Sequence, residues 1–261
     1  MTFIDTLNKP EQPAKLVADY KPTLIQSEDH KLCPGCGHPV AARVILETIE
    51  EMGLTSRSWC AYGHGCYAIY SKFIDIENAL TLHGRAPAYA TGFKRMRPDC
   101  SVWVLQGDGD VTSEGLAEIM HTAARGENIT CFMLNNGVFS DTGGQMTATT
   151  VIGQRTKNTL QGRDPKLHGH PLPIANILAT LPGVSYVARG SVYSAASVHK
   201  TRSFVRKAFE HQERGTGLAF VEILTMCPTG WFVPANEGPE YLHDSMEAVY
   251  PLGELKDVGF D

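Results

Sequence analysis

Residues 101–110 read SVWVLQGDGD, an apolar run that ends in a glycine turn carrying two aspartates. Such a run predicts a buried strand over 101–106. Downstream, Leu116, Ile119, Met120, Ala123 and Ala124 recur at helical spacing, and Gly126 closes the run, as glycine often closes helices. The next apolar run, ITCFML at 129–134, predicts a second strand, and Asn135-Asn136-Gly137 follow it. Strand, helix, strand is the unit from which parallel sheets are built.

The alternation continues outward in both directions. Ala41, Val44, Ile45, Thr48, Ile49 and Met52 mark a helix stopped by Gly53, and 56–62 is a short strand. Ala86, Tyr89, Ala90 and Phe93 mark another helix, ending at Arg97-Pro98. Beyond the centre come a short helix over 173–181, a strand over 184–188, a helix near 194–213 and a last buried strand, LAFVEIL, at 218–224. Residues 137–170 are rich in Gly, Thr and Gln without a sustained period, and a stretch that long in a compact domain is usually functional. The expected fold class is therefore α/β: a doubly wound, mostly parallel sheet with helices on both faces. Three regions are expected: an N-terminal arm over 1–30, a cofactor-binding domain over 31–230, and a C-terminal extension over 231–261 packing on that domain or on a partner.

Composition bounds the rest. The 261 residues carry 43% hydrophobic and 20% charged side chains, ordinary for a globular chain. Lys+Arg is 23 against 28 Asp+Glu, a net charge of -5, which excludes a generally basic nucleic-acid binder. No apolar run approaches the ~18 residues that cross a bilayer. The first residues have mixed charge and no apolar core of a signal peptide, so a cytoplasmic location is expected. Seven cysteines, an odd number, in a chain too long to need staples suit metal-bound or buried thiols better than a disulfide framework.

Ligands of such folds sit at the carboxyl ends of strands, where Gly107-Asp108-Gly109-Asp110 and Asn135-Asn136 fall. The glycine turn does not complete a dinucleotide fingerprint, and an aspartate there would repel a phosphate. A divalent cation between carboxylate and diphosphate removes the conflict. Magnesium takes one or two protein oxygens plus phosphate oxygens, so Asp108 with Asn135 or Asn136, the latter 28 positions on, makes a magnesium diphosphate site. Either motif alone is more often a turn; the pair at matched strand ends is less easily accidental.

Cys33-Pro34-Gly35-Cys36 opens onto a helix, and on spacing alone zinc, a redox dithiol and an iron–sulfur cluster all compete. Cys66 and Cys227 sit in or beside loop sequences and are candidate further ligands. Cys36 at a helix N-terminus would have its thiolate favoured by the helix dipole. Cys60, Cys100 and Cys131 lie in or beside apolar strands, where a thiol is most often packing.

The glycine-aspartate turn followed by Asn-Asn resembles the thiamine diphosphate motif. That resemblance implies Asp108, the Asn136 side chain and the carbonyl of Val138 on magnesium. It further implies Gly107 and Gly109 where the backbone approaches the diphosphate, and Thr142 and Gly143 wrapping it from the other side. The chain as a whole resembles the beta, thiamine-diphosphate-binding subunits of the 2-oxoacid:ferredoxin (acceptor) oxidoreductases. The matching stretches are CPGCGH at 33–38, GHGC at 63–66, LHGRAPAYATG at 82–92, QGDGD at 106–110 and ARGENIT at 124–130. They continue with NNGVF at 135–139, TGGQMTATT at 142–150, GRD at 162–164 and VEILTMCPT at 221–229.

The resemblance implies one 4Fe-4S cluster on Cys33, Cys36, Cys66 and Cys227, with Gly65, His83, Gly84, Arg85 and Asp110 at the cofactor. His83 read without the family is a strand-end core histidine. The activity implied is oxidative decarboxylation of a 2-oxoacid to acyl-CoA and CO2, with coenzyme A as co-substrate and electrons leaving through the cluster, in anaerobic metabolism. The partners implied are an alpha subunit supplying the activating glutamate, gamma and ferredoxin-like delta subunits or fused equivalents, and ferredoxin or another acceptor. The alternatives are a non-redox thiamine diphosphate decarboxylase or carboligase, against which the cysteine quartet weighs, and a metal-stabilised electron-transfer module, against which Asp108 and Asn136 weigh.

One departure stands out. Subunits of this type often read NNAIYGMTGGQ, and this chain places Asp141 where that pattern has methionine. A carboxylate near the reacting centre could transfer protons or repel the second acid group of 2-oxoglutarate, so a monocarboxylic, branched or aromatic substrate is expected. The alternative is that Asp141 only orders its loop.

Overall fold

The computed structural model describes residues 23–26 and 30–260. Seven strands form one sheet: β1 (Ser58–Tyr62), β2 (Glu77–Leu80), β3 (Ser101–Gly107), β4 (Thr130–Asn135), β7 (Val184–Ser191), β8 (Leu218–Leu224) and β9 (Gly253–Asp257). Their order is β2-β1-β3-β4-β8-β7-β9. All neighbours are parallel except β9, which runs antiparallel to β7 at the edge. A two-stranded ribbon, β5 (Val138–Phe139) with β6 (Gln145–Met146), stands apart.

The central strands are buried on both faces, so they read as apolar runs without polar alternation. Side chains still divide by the period of two. Trp103, Leu105, Phe132, Leu134, Val221 and Ile223 pack into one core, with α1 (His38–Glu51) and the long α5 (Ala195–Glu213). Val102, Val104, Cys131, Met133 and Phe220 pack into the other, with α2 (Ala86–Met96), α3 (Leu116–Arg125) and α4 (Ile174–Ala179). Gly126 ends α3 at φ 62, the left-handed position that favours glycine. Near the other end of α5, the Gln212 side chain accepts from the Val102 backbone N–H at 2.8 Å and donates to the Thr130 hydroxyl at 2.9 Å, tying the helix to the starts of β3 and β4.

The expected doubly wound α/β sheet is present, with differences at its margins. Strand β2 escaped the sequence reading because ENAL has no apolar face; it is an edge strand paired only with β1. The C-terminal extension, for which the sequence predicted no strand, buries Leu242, Met246 and Tyr250 in the first core and adds β9 to the sheet. Of the expected N-terminal arm, only residues 23–26 and 30 are described. Ile25 bridges Ile74, and Leu24 is buried with its N–H on Glu50 at 2.9 Å. The remainder of 1–30 lies outside the described residues. Among the described residues, no helix is long and apolar enough to cross a membrane.

Candidate active site

Gly107 at the end of β3 pairs with Leu134 near the end of β4, so Asp108 and Asn136 leave adjacent strand ends side by side. The Asn136 N–H donates to Asp108 Oδ1 at 3.4 Å. Thr147 and Thr149 each donate a hydroxyl to Asp108 Oδ2 at 2.6 Å. Asp108 is nonetheless buried, and burial pushes its carboxyl up to about 6, with the two hydroxyls opposing the rise. A buried carboxylate answered only by neutral donors suits a cation. The Asn136 Oδ1 accepts from Val138 N–H at 3.1 Å and, as a carbonyl oxygen, keeps a second lone pair. Trp231 holds the Asn136 carbonyl at 2.7 Å. The donor set therefore fits magnesium on a diphosphate.

Asp110 gathers the neighbouring loops. Its Oδ2 accepts from the His64 N–H at 3.0 Å and from the Tyr67 hydroxyl. Its Oδ1 accepts from the Gly84 N–H and meets His83 Nδ1 at 2.6 Å. That hydrogen bond raises the His83 pKa, with burial opposing. Gly84 sits at φ +79, and a Cβ there would come within 2.6 Å of the Glu114 backbone; no larger residue fits the turn.

Of the residues the sequence singles out, Gly65, His83, Gly107, Asp108, Gly109, Asp110, Asn136, Val138, Asp141 and Thr142 line one cleft. Gly84 and Arg85 stand behind it: Gly84 acts through its N–H, and the Arg85 guanidinium is held by Glu118 of α3. At Gly109 the Phe139 ring also leaves no room for a side chain, since a Cβ there would meet it at 2.3 Å. Sequence reasoning missed His38, Tyr67, Thr147 and Thr149. The last two lie in the threonine-rich run TATT at 147–150.

Gly143, Cys33, Cys36, Cys66 and Cys227 line a second cavity beside the first. His38, Cys66, Asn136 and Ser140 line both, so they form the shared wall. Burial pushes the Cys36 thiol up to about 11 and the Cys227 thiol up to about 12, and Cys33 and Cys66 add to both. The helix dipole expected to favour the Cys36 thiolate is outweighed by that burial. The His38 N–H lies on the Cys36 sulfur and the Gly230 N–H on the Cys227 sulfur, each opposing the rise. Among the described residues, no three His, Cys, Asp or Glu side chains converge closely enough to grip one metal ion. Four soft thiols spaced around a cavity suit a polynuclear iron–sulfur centre, which needs them deprotonated and supplies the positive charge. Cys60, Cys100 and Cys131 are buried elsewhere; Cys60, though only six positions before Cys66, lies inside β1.

The family described as thiamine pyrophosphate enzyme, C-terminal TPP binding domain, matches residues 55–223. The 2-oxoglutarate synthase subunit KorB of Methanocaldococcus jannaschii is 31% identical over 232 residues, 88% of this chain and 82% of that one. This chain belongs to the beta-subunit family of the 2-oxoacid:ferredoxin oxidoreductases. Within that family, the ketoisovalerate oxidoreductase subunit VorA of Methanothermobacter marburgensis is 38% identical over 225 residues, 86% of this chain and 47% of that one. The chain thus spans about half the length of the ketoisovalerate relatives it matches. A solved 2-oxoglutarate:ferredoxin oxidoreductase from Magnetococcus marinus, with 2-oxoglutarate, coenzyme A and succinyl-CoA bound, superposes with a TM-score of 0.73 at 25% identity, covering 96% of this chain and 89% of that one.

Proposed function

We propose that this chain is the thiamine-diphosphate-binding subunit of a complex that oxidatively decarboxylates a 2-oxoacid to acyl-CoA and CO2. The observation that supports the reading is the shared wall of the two cavities, which sets the cleft lined by Asp108 and Asn136 against the cavity lined by four thiols. Asp108, Asn136 and the Val138 carbonyl are the magnesium ligands; Cys33, Cys36, Cys66 and Cys227 hold one 4Fe-4S cluster. When bound, thiamine diphosphate supplies the electron sink that decarboxylation needs, and the cluster takes electrons singly.

The chain's own residues prepare the cleft for that chemistry. Asp110 keeps a proton on His83 Nδ1, leaving Nε2 to exchange protons within the cleft. Asp141 lines the cleft with its carboxylate 3.7 Å from the Cys66 sulfur. Such a charge repels a second carboxylate on the substrate, which favours a branched or aromatic monocarboxylic 2-oxoacid. The 38% identity to a ketoisovalerate subunit, against 31% to a 2-oxoglutarate subunit, supports the branched reading.

The wider assembly is part of the proposal: an alpha subunit with the activating glutamate, gamma and ferredoxin-like delta components, coenzyme A as co-substrate, and ferredoxin or a similar acceptor, in the cytoplasm of an anaerobically working cell. The test is anaerobic purification with whatever subunits co-purify, followed by iron, zinc and thiamine assays and an EPR spectrum. Iron with thiamine diphosphate, and 2-oxoacid-dependent reduction of the cluster signal, are expected. Zinc in place of iron, or a cofactor turned over without reduction of any cluster, would overturn the reading.

A further inference from the structure

His38 is the first residue of α1, two positions after Cys36, and is 2% exposed. The residue forms part of the wall between the two cavities. One ring nitrogen is accounted for: Nε2 lies 3.4 Å from Asn136 Nδ2. The other, Nδ1, is buried with no hydrogen-bond partner among the described residues.

The proton's position follows from the neighbours. The Val138 N–H fixes the Asn136 amide by donating to its Oδ1 at 3.1 Å. Nδ2 is then the atom facing His38 and the Ser140 hydroxyl, the latter at 3.3 Å. An amide nitrogen only donates, so His38 Nε2 accepts and the ring proton resides on Nδ1. A buried N–H without an acceptor is unfavourable and rare. In this case it belongs to a residue whose backbone N–H already lies on the Cys36 sulfur and which lines the cavity of the four thiols.

We infer that His38 is a positioning residue for electron transfer: its Nδ1–H donates a hydrogen bond to a sulfur of the cluster held by Cys33, Cys36, Cys66 and Cys227. The inference rests on the cluster reading above. Reduction adds one electron to the cluster and no proton, so negative charge on the sulfurs increases. An N–H···S bond stabilises that charge, and hydrogen bonds to the sulfurs are among the determinants of cluster potential. His38 therefore raises the potential. Through Nε2 the same ring braces Asn136, so one imidazole spans the magnesium loop and the electron acceptor.

Three substitutions separate the two ring nitrogens. His38→Asn places an amide donor near the position of Nδ1. His38→Gln reaches the position of Nε2 and leaves no donor at Nδ1. His38→Leu removes both. The measurement is an EPR-monitored dithionite titration of the anaerobically purified complex, with the relevant signal identified as the one missing from Cys227→Ala.

The cluster potential is expected to shift down in His38→Gln and His38→Leu, and to stay near wild type in His38→Asn. Unchanged potentials in iron-replete Gln and Leu variants would overturn the inference, as would an Asn variant that shifts as far as Leu. Should the Leu variant fail to assemble its cluster, the Gln variant, which preserves bulk and the Asn136 contact, decides the matter. Absence of iron in the wild-type complex would sink the cluster reading itself, and the metal assay shows that before any titration begins.

Discussion

Arg189 and Glu222 meet at 2.7 Å with both side chains 1% exposed. Glu222 also accepts from the Asn135 amide at 2.6 Å, and Asn135 Oδ1 accepts from the Gly137 N–H at 3.0 Å, bracing the turn that carries Asn136. Arg189 lies over the Tyr250 ring, and the Tyr250 hydroxyl donates to the Thr149 carbonyl at 2.7 Å. Thr149 in turn holds Asp108. The buried pair thus supports both the turn that carries Asn136 and the threonine that holds Asp108. Glu222→Gln leaves the guanidinium buried without its countercharge, and a loss of about 3–5 kcal/mol in unfolding free energy is expected by chemical denaturation. The double variant Arg189→Met, Glu222→Met removes both charges and should recover most of that loss. It also removes the anchor of Asn135, so thiamine diphosphate affinity should remain reduced. A double variant that binds the cofactor as tightly as wild type would deny the pair any role beyond packing.

Asp108 depends on two threonine hydroxyls. Asp108→Ala should abolish magnesium-dependent thiamine diphosphate binding and leave the iron content intact, since Asp108 does not line the thiol cavity. Thr147→Val and Thr149→Val each remove a hydrogen bond to a carboxylate, about 1.5–3 kcal/mol. Isothermal titration with the cofactor and magnesium should then show affinity roughly 10- to 100-fold weaker in either variant. Unchanged affinity in both would mean that the carboxylate is organised by the cation alone.

The sheet's centre was legible because β3, β4 and β8 are apolar runs between glycine-bearing turns. The meeting of Asp108 with Asn136 was legible because GDGD and NNG are short, local and separated by one helix and one strand. What escaped was non-local. The residues that hold Asp108 lie 39 and 41 positions away, and no spacing rule predicts that pairing. Gln212 reads as a polar end to an amphipathic helix, yet it is buried because the starts of β3 and β4 offer it partners. Strand β9 was invisible because GELKD pairs through its backbone at an edge, where side-chain pattern is weakest. The raised pKa of the Cys36 thiol was hidden for a related reason: a helix N-terminus can be recognised in sequence, but burial of the thiol cannot.

Asp141 gives a specificity prediction. At about 4 Å in water two unit charges interact by ~1 kcal/mol. Asp141→Asn should therefore raise the ratio of kcat/KM for 2-oxoglutarate over that for 2-oxoisovalerate by roughly fivefold. The assay is reduction of an electron acceptor by the purified complex with each 2-oxoacid. A ratio that stays constant while both activities fall would assign Asp141 to loop order or proton transfer instead.

His211 gives a pH prediction. It lies near the C-terminal end of α5 with its side chain fully buried; Nδ1 meets the Thr216 hydroxyl at 2.9 Å and Nε2 meets Asp257 Oδ1 at 3.1 Å. Tyr186 stacks on its ring at 5.2 Å and Phe260 packs at 4.6 Å. Burial lowers its pKa below 6.5; Asp257 and Glu210 oppose that shift, and Lys207 reinforces it. The unfolded chain therefore takes up this proton at a higher pH than the folded chain does. Between the two pKa values the unfolded state holds more protons, so stability rises with pH there and is lost as pH falls below about 6.5. His211→Gln removes that proton uptake while keeping a polar group opposite Asp257. Denaturant unfolding of both proteins between about pH 5 and 7 should give a shallower pH slope for the variant. Parallel slopes would show that acid loosens the chain elsewhere and that the strand carrying Asp257 does not depend on His211.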